Sequence, residues 1–362
     1  MRLLGSLKSS FVDLPTPINL SYFYGLGFLL GVVYLVQSVS GVLLSLFYSV
    51  GVFGGYESVV SIMQMVEGGW LVRFVHSGGA SVMFLLVYLH IIRGVVFSGL
   101  KSRLVWLSGV VIMMVLMAVS FLGYVLPWGQ MSYWGMTVVT SMLGAIPVVG
   151  EALVSWLWGG SVASVVSLVR FYSFHYLVSL IMGVFIVAHL LVLHEKGSSN
   201  PLGVFSSADK MVFYPLFVVK DLLGVMVLFV MYWFSVFVFA YSLMDETNFE
   251  EVNYLSTPSH IKPEWYFLYA YCILRSVESK LGGVILMLGA VGVLVVLGGV
   301  RFSSVGSACF NIVVKLGVLF LVVSFVILVY LGAQAVEYPF QVVSKVFTFM
   351  YFFSVIFISL LV

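Results

Sequence analysis

Four of the six histidines lie inside apolar stretches, in two pairs with the same spacing of fourteen residues. His76 and His90 form the first pair, and His175 and His189 form the second. Fourteen residues of α-helix rise about 21 Å and complete nearly four turns, so each pair lies on one helix face at two depths. Two such helices facing each other place two imidazoles at each depth. Imidazoles on both axial positions of a haem iron leave no open site, which favours electron transfer over oxygen binding.

The composition places these histidines in a membrane protein. Of 362 residues, 62% are hydrophobic and 8% are charged, and the mean hydropathy is +1.18. Such a chain has too few charges to cover a soluble globule of this length. A net charge of +2 without a clustered basic face argues against nucleic acid as a partner. The two cysteines form no CxxC or CxxCH sequence, which excludes covalent haem attachment and a disulfide framework.

The apolar runs have the length of membrane-spanning helices, which need about 20 residues. Eight runs are predicted as spans: 25–48, 70–97, 104–126, 171–194, 216–242, 282–300, 312–333 and 341–361. Because unpaired backbone groups are costly in lipid, long apolar runs without strict alternation predict a helical bundle and not a barrel. The predicted fold is an all-α polytopic membrane protein. Its first four spans (region 1–215) form a dihaem four-helix bundle, and its last four spans lie in region 216–362.

The distribution of positive charge predicts the orientation of these spans. If the N-terminus faces the inner compartment, ten of the sixteen Lys and Arg residues lie on that inner side. The ten are Arg2, Lys8, Arg93, Lys101, Arg103, Lys196, Lys210, Lys220, Arg301 and Lys315. This bias favours a topology with both termini inside. His76 and His175 then lie near the outer face, and His90 and His189 lie near the inner face.

Glycines in the first and third spans repeat the fourteen-residue step. Gly27 and Gly41 lie in the first span, and Gly109 and Gly123 lie in the third. Glycine inside a helix costs about 1 kcal/mol relative to alanine, so a repeated placement indicates close approach by another group. A flat ring held between four helices is one explanation. Close helix packing in lipid is the alternative.

Two arginines lie one helical turn beyond the histidines. Arg73 precedes His76 by three residues, and Arg93 follows His90 by three residues. Each guanidinium is therefore expected between a histidine and its own membrane surface. A haem propionate is a suitable partner for such a group. Contact with lipid headgroups is the alternative.

The longer connections are also informative. Segments 127–170 and 243–281 face the outer compartment in this topology, and the first is apolar enough to form short helices in the membrane interface. Segment 195–215 is predicted to be a solvated loop on the inner face. A cofactor pocket near the outer face therefore lies beneath the two outer segments.

At this point the motifs resemble a known family. The histidine and glycine pairs, the sequence YVLPWGQMS at 124–132 and the sequence KPEWYF at 262–267 closely resemble the cytochrome b family of respiratory cytochrome bc complexes, complex III or ubiquinol–cytochrome c reductase. The resemblance covers nearly the whole chain. It implies a Q-cycle core with two b haems, one on His76 and His175 and the other on His90 and His189. It also implies two sites for ubiquinol or ubiquinone.

The resemblance implies the residues of the outer quinol pocket. Glu264, Tyr266 and Tyr271 are expected in it, with Gly135 on another wall. A carboxylate in a partly apolar pocket suits Glu264 to accept a quinol proton. A carboxylate that caps a helix or anchors a loop is the alternative.

The resemblance also implies an inner quinone pocket. His194 and Asp221 are expected to hold the quinone carbonyls and deliver protons, next to Lys220, and Ser198 adds a hydrogen bond. From the residues alone, His194 beside Glu195 is equally well explained as an ordinary interfacial histidine.

The partners and location follow from the same resemblance. A Rieske iron–sulfur protein, a c-type cytochrome subunit, further complex III subunits, membrane lipids and a homodimeric complex are expected. The composition fits the mitochondrial inner membrane, with a bacterial cytoplasmic membrane as the alternative. One departure from the family concerns 277–280, where Val-Glu-Ser-Lys replaces a proline-containing turn.

Two other functions compete with this interpretation. The first is a dihaem anchor of another quinone-linked dehydrogenase, and the KPEWYF segment and the four additional spans argue against it. The second is a transporter that uses membrane-embedded His and Arg side chains as a proton path. The number of haems per chain separates the transporter from the other two.

Overall fold

The computed structural model describes residues 12–51, 54–97, 100, 102–298 and 307–361. Within them, eight helices are long and apolar enough to cross a membrane. They are Tyr22–Ser45, Gly69–Val96, Arg103–Val125, Val165–Lys196, Leu216–Val238, Lys280–Leu297, Ile312–Gly332 and Phe340–Leu361. The predicted all-α fold with eight spans is confirmed. Arg2, Lys8, Lys101 and Arg301 from the charge distribution lie outside the described residues.

In chain order the helices are α1 (Leu26–Ser45), α2 (Gly54–Gln64), α3 (Gly69–Val96), α4 (Arg103–Val125), α5 (Gln130–Ser141), α6 (Gly150–Trp158), α7 (Val165–Lys196), α8 (Leu216–Trp233), α9 (Leu268–Arg275), α10 (Lys280–Gly292), α11 (Leu294–Leu297), α12 (Ile312–Gly332) and α13 (Phe340–Leu361). Short 3₁₀ turns lie at Tyr22–Gly25, Met142–Ala145, Glu246–Phe249, Trp265–Phe267 and Ala308–Phe310, and a π-helical turn at Phe234–Val238 extends α8.

Polar side chains fix where several helices begin. At α7, the Ser164 hydroxyl accepts a hydrogen bond from the Val166 amide at 3.3 Å, and Ser167 accepts one from the Ser164 amide at 2.9 Å. This reciprocal cap satisfies free amides of the first turn, so α7 begins six residues before the predicted span. The side chain of Ser279 caps α10 at 277–280, where the sequence departs from the pattern of the family that it resembles. A serine cap thus defines the turn before α10, where the resembled family has a proline-containing turn.

The first four spans pack as one bundle. Helix α1 packs along α3, and α4 packs along α7. Val33 of α1, Phe84 of α3, Leu116 of α4 and Met182 of α7 belong to one buried cluster. The Tyr34 hydroxyl of α1 also donates to the carbonyl oxygen of Ser179 on α7, at 3.0 Å. Four helices therefore share one core, and their histidines and glycines face one another inside it.

The last spans form a second core around α9. Tyr269 of α9, Leu328 of α12 and Tyr351 of α13 are buried in one cluster. The Tyr351 hydroxyl donates to the carbonyl of Ala290 on α10 at 2.8 Å. The guanidinium of Arg275 donates to the Gly332 carbonyl at 2.9 Å, at the C-terminal end of α12. These contacts hold α9 in place below the outer loops.

Side-chain hydrogen bonds connect the two cores. The Trp106 indole of α4 donates to the Leu294 carbonyl at 2.7 Å, and the Tyr88 hydroxyl of α3 donates to the Tyr266 carbonyl at 2.7 Å. The Phe84 and Tyr266 rings stack at a centroid distance of 4.0 Å. The segment that carries Tyr266 therefore packs directly against the bundle that carries the histidines.

The connections contain more structure than their composition predicted. Segment 127–170 folds into α5 and α6, as expected for short helices, and α2 in the first connection was not predicted. In the predicted solvated loop 195–215, strand β2 (Lys210–Val212) pairs antiparallel with β1 (Pro15–Pro17). The prediction of a plain loop was wrong there. Three residues give too little alternation to signal a strand, and this strand depends on a partner almost 200 residues away.

Candidate functional site

His76 and His175 face each other across the bundle, at the end where the 127–170 and 243–281 loops lie. We call this end the outer end. The two imidazole centroids are 6.2 Å apart, and the ring planes are 86° from parallel. Two metal–imidazole bonds of about 2 Å each, together with the ring radii, give a centroid separation of about 6 Å. This separation fits one metal between the rings. No group of three or more His, Cys, Asp or Glu that could hold a metal ion occurs in the described residues.

The second pair lies fourteen residues further along the same helices. His90 of α3 interacts electrostatically with His189 of α7, and both side chains are half-buried. The distance between the two depths is about 21 Å along each helix. The structure therefore brings the predicted ligands together in the predicted pairs.

Each of the four glycines faces one of these histidines. A Cβ atom at Gly123 would lie 2.6 Å from Cε1 of His175, and one at Gly41 would lie 2.9 Å from Cε1 of His76. The corresponding distances are 3.5 Å from Gly27 to His90 and 3.4 Å from Gly109 to His189. The neighbour that each Cβ would meet is an imidazole and not the backbone of another helix. This arrangement supports the cofactor explanation of the glycine spacing over simple helix packing.

Hydrogen bonds to Nδ1 orient three of the four imidazoles. The hydroxyl of Ser40 lies 3.0 Å from Nδ1 of His76, and the hydroxyl of Ser108 lies 2.7 Å from Nδ1 of His189. The Val119 carbonyl lies 2.8 Å from Nδ1 of His175. A histidine that donates from Nδ1 leaves Nε2 free to bind a metal. Nδ1 of His90 is buried without a hydrogen-bond partner in the described part of the chain.

The two arginines lie inside the bundle and are half-buried. Arg73 interacts electrostatically with Glu264, Tyr124 and Tyr48. The guanidinium of Arg93 lies 3.7 Å from the centroid of the Tyr24 ring, and its buried Nε has no hydrogen-bond partner in the part of the chain that the structure describes. A half-buried guanidinium with an unused donor suits an anionic group such as a propionate.

Glu264 lies at the outer end, directly before the 3₁₀ turn Trp265–Phe267. Burial raises the pKa of its carboxyl group to about 7, while Arg73 lowers this pKa and Asp245 raises it. The group therefore changes between carboxylic acid and carboxylate near neutral pH. The side chain makes no cap hydrogen bond to this turn, so the helix-capping alternative has no support at that position.

The other three predicted residues of the outer pocket differ in their surroundings. Tyr266 is buried against Phe84, so its ring is fixed by stacking. The Tyr271 hydroxyl donates to the Ile261 carbonyl at 3.1 Å, and the guanidinium of Arg275 lies 4.4 Å from the Tyr271 ring centroid. A Cβ atom added at Gly135 on α5 would meet no side chain or neighbouring helix of the described residues within 4 Å.

The predicted inner residues lie at the opposite end of the bundle. The Asp221 carboxylate lies 2.9 Å from the Cβ position of Gly25, and Lys220 donates to the Leu20 carbonyl at 2.8 Å. His194 is exposed at the end of α7, where its Nδ1 lies 2.9 Å from the Leu190 carbonyl. Ser198 is exposed in the loop after α7. Asp221 and Lys220 therefore contact the segment that begins α1, and His194 and Ser198 lie at the end of α7.

Comparison with known proteins places this geometry in a family. The family described as cytochrome b/b6/petB matches residues 11–197, and the C-terminal family described as cytochrome b/b6/petD matches residues 251–352. A protein of Leptorhynchoides thecatus named cytochrome b is 52% identical over 349 residues, which cover 96% of this chain and 94% of that protein. The chain belongs to the cytochrome b family.

Two further similarities support membership of the cytochrome b family. A cytochrome b of Phytophthora megasperma is 42% identical over 340 residues, which cover 93% of this chain and 89% of that protein. A solved structure titled "Hyperthermophilic respiratory Complex III" superposes with a TM-score of 0.92 at 30% identity and covers 98% of this chain and 95% of that chain. The cytochrome b fold and a resident b-type haem are therefore established at the level of the family.

Some residues of the site were missed by the sequence analysis. Ser40 and Ser108 contact the imidazoles of His76 and His189, and Tyr24 packs against Arg93. The Tyr124 hydroxyl is buried, has no hydrogen-bond partner among the described residues, and interacts electrostatically with Glu264. One signal for the two serines was present in the sequence, since each directly precedes a glycine of the fourteen-residue pattern.

Proposed function

We propose that this cytochrome b is the redox core of a quinol:cytochrome c oxidoreductase that works by the Q cycle. Quinol is oxidised in the outer pocket and quinone is reduced in the inner pocket, with two b haems resident between them. The observation that carries the proposal is the 6.2 Å separation of the His76 and His175 ring centroids. The electrostatic interaction of His90 with His189 further along the same helices supports a second pair.

The chain offers a complete set of contacts for these groups. His76 and His175 would hold the outer haem, and His90 and His189 would hold the inner haem. When bound, the haems would supply reversible one-electron redox chemistry. Gly27, Gly41, Gly109 and Gly123 leave room for the ligand rings, and Arg73 and Arg93 present cationic groups toward the propionates.

Oxidation of quinol releases protons, so the outer pocket needs a group that accepts one. Glu264 is suited to this role because its pKa of about 7 lets the carboxylate take a proton and release it again near neutral pH. The nearby Arg73 favours the ionised form. Tyr266 and Tyr271 bound the pocket with fixed rings, and Gly135 leaves space for the substrate.

The pH dependence of quinol oxidation tests this role. Below pH 7 the Glu264 carboxyl group is protonated and cannot accept a proton, so the rate is expected to rise as pH increases through about 7. Glu264→Gln removes the base, and we expect quinol oxidation at pH 8 to fall by about 100-fold and the rise near pH 7 to disappear. The haem spectrum is expected to stay unchanged. Steady-state rates of the purified complex from pH 5.5 to 9 measure this.

Glu278→Gln is the matched control for that variant. Glu278 also lies on the outer side, but it is exposed and its ion pair with Lys345 is 3.8 Å long. Exposed pairs of this kind contribute little to stability. The control is expected to keep the wild-type pH profile. If Glu264→Gln shows the same turnover and pH profile as this control, the proton-accepting role is wrong.

At the inner pocket, quinone reduction needs proton donors. Asp221, His194 and Lys220 bring titratable groups to this end of the bundle, and Ser198 adds a hydroxyl. Asp221 and His194 contact the quinone carbonyls and deliver protons in this proposal. The Lys220 ammonium group donates a hydrogen bond to the Leu20 carbonyl. This bond fixes the start of α8, which also carries the Asp221 carboxylate.

The proposed assembly is a homodimeric complex with a Rieske iron–sulfur protein, a c-type cytochrome subunit and further complex III subunits. Ubiquinol and ubiquinone are the proposed substrates, and the mitochondrial inner membrane is the proposed location. The similarity to a chain of a solved respiratory complex III supports the multisubunit assembly, and the eight apolar helices support a multi-pass membrane location.

Quinol-dependent reduction of cytochrome c by the purified complex tests this function. We expect inhibition by two classes of compound that act at separate sites, a stigmatellin-type inhibitor at the outer pocket and an antimycin-type inhibitor at the inner pocket. A dihaem anchor of another dehydrogenase would show neither cytochrome c reduction nor two separate inhibitor sites. That result would exclude the Q-cycle function while leaving the haem sites intact.

A further inference from the structure

Each of the four histidines faces a glycine, and the residue that precedes this glycine is not the same in all four cases. Serine precedes the glycine opposite His76 and the glycine opposite His189, and leucine precedes the other two glycines. The four dipeptides are Ser40-Gly41, Ser108-Gly109, Leu26-Gly27 and Leu122-Gly123. Because the glycine lets the imidazole approach the helix closely, the preceding side chain lies within reach of Nδ1. The two serines use this position, at 3.0 and 2.7 Å from the ring nitrogen.

The proton positions at the two serines follow from their other hydrogen bonds. Ser40 donates to the Val36 carbonyl at 2.7 Å, and Ser108 donates to the Val105 carbonyl at 2.9 Å. Each hydroxyl has one proton, which these backbone contacts use. The remaining lone pairs therefore accept the Nδ1 proton of His76 or His189, and His189 shares its proton between Ser108 and the Val105 carbonyl. This assignment agrees with a histidine that binds a metal through Nε2.

The histidines opposite leucine lack such a hydroxyl. His175 donates instead to the Val119 carbonyl, one turn before Leu122 on α4. His90 has no equivalent carbonyl, because α1 begins at Leu26 and the residues before it form a 3₁₀ turn. Its Nδ1 therefore has no hydrogen-bond partner among the residues that the structure describes. The four ligand imidazoles therefore differ in the acceptors available to Nδ1.

We propose that Ser40 and Ser108 set the reduction potentials of the outer and inner haems through these hydrogen bonds. An acceptor at Nδ1 increases the basicity of the imidazole and makes it a stronger donor to iron. A stronger donor stabilises the oxidised iron and lowers the reduction potential. Both serines are positioning residues, since they act through a ligand and touch neither the metal nor the quinone. The inference rests on the proposed haem sites.

Replacing Ser108 by alanine tests the inference on one haem. A typical hydrogen bond contributes about a factor of five to an equilibrium. At 59 mV per tenfold change for one electron, this factor corresponds to an upward shift of about 40 mV in the inner-haem midpoint. The outer midpoint is expected to stay unchanged. Redox potentiometry of the purified complex, with the two haems separated by their low-temperature α-bands, measures both values.

Two further variants serve as controls. Ser108→Thr keeps a hydroxyl at this position and is expected to restore the wild-type inner midpoint. Ser179→Ala removes a serine from the same helix as His189, but its hydroxyl bonds only its own helix at the Tyr176 carbonyl, so no shift is expected. Ser40→Ala is expected to raise the outer midpoint alone. An inner midpoint that stays unchanged in Ser108→Ala, while the inner haem is retained, would overturn the inference.

If Ser108→Ala fails to retain the inner haem, a second variant that adds a serine tests the inference instead. Leu26→Ser places a hydroxyl before the glycine that faces His90, at the position corresponding to Ser108. This variant is expected to lower the inner midpoint. An unchanged midpoint in that variant would also overturn the inference. A wild-type complex without two haems per chain would instead contradict the proposed function, so the two failures are distinguishable.

Discussion

Replacing His189 by alanine is expected to remove the inner haem and to leave the outer haem in place. In the proposed assignment, His189 and His90 would hold the inner haem, so the loss of His189 would leave this haem with one histidine. The outer pair lies about 21 Å away along the helices, with its own glycines and hydrogen bonds. A reduced-minus-oxidised spectrum at low temperature separates the two signals.

The His260→Ala variant controls for the loss of a histidine as such. His260 is exposed in the outer 243–281 segment and belongs to neither pair. Both haem signals are expected to persist in this control. If His189→Ala instead removes the outer signal alone, the pairing of the four histidines by depth is wrong.

Gly123→Ala is expected to weaken binding of the outer haem by about 10–100-fold, as typical for changes beside a metal ligand. The added Cβ would lie 2.6 Å from Cε1 and 2.9 Å from Nδ1 of His175, which is closer than atoms can pack. Rotation of the ring would relieve this contact, but it would also break the hydrogen bond to Val119 and misdirect Nε2. Haem content and the outer α-band of the purified complex measure the loss.

Gly31→Ala is the matched control for this glycine. Gly31 also lies inside a membrane span, but no heavy atom lies within 4 Å of its Cβ position. Alanine is a better helix former than glycine, so this variant is expected to retain both haems and to be at least as stable as the wild type. Equal haem content in Gly123→Ala and Gly31→Ala would show that the glycine does not make room for the ligand ring.

Most of the membrane architecture could be predicted from the sequence, because a span is determined locally by about 20 apolar residues. The eight predicted spans agree with the helices, apart from shifts at their ends. Capping side chains such as Ser164 determine where those helices begin. Helix α2 was missed because its eleven residues are too short and too polar for a hydropathy signal. The pairing of β1 with β2 could not be predicted, since it joins distant segments of three residues each.

For the candidate site, periodicity predicted which residues share a depth, and the structure brings them together there. Periodicity alone could not predict how each ligand is oriented, because an acceptor such as the Val119 carbonyl depends on the exact rotation of two helices. The hydrogen bond of Tyr271 to Ile261 likewise depends on the path of a loop. The quinone contacts of Asp221 and His194 stay predictions.

The most direct test of the central claim is the haem content of the purified complex combined with redox potentiometry. Two facing pairs of imidazoles in one bundle predict two b haems per chain of this protein, with two distinct midpoint potentials and two resolvable α-bands. A single haem per chain, one midpoint, or a complex without a Soret band would contradict the assignment of His76, His90, His175 and His189 as the ligands of two stacked haems.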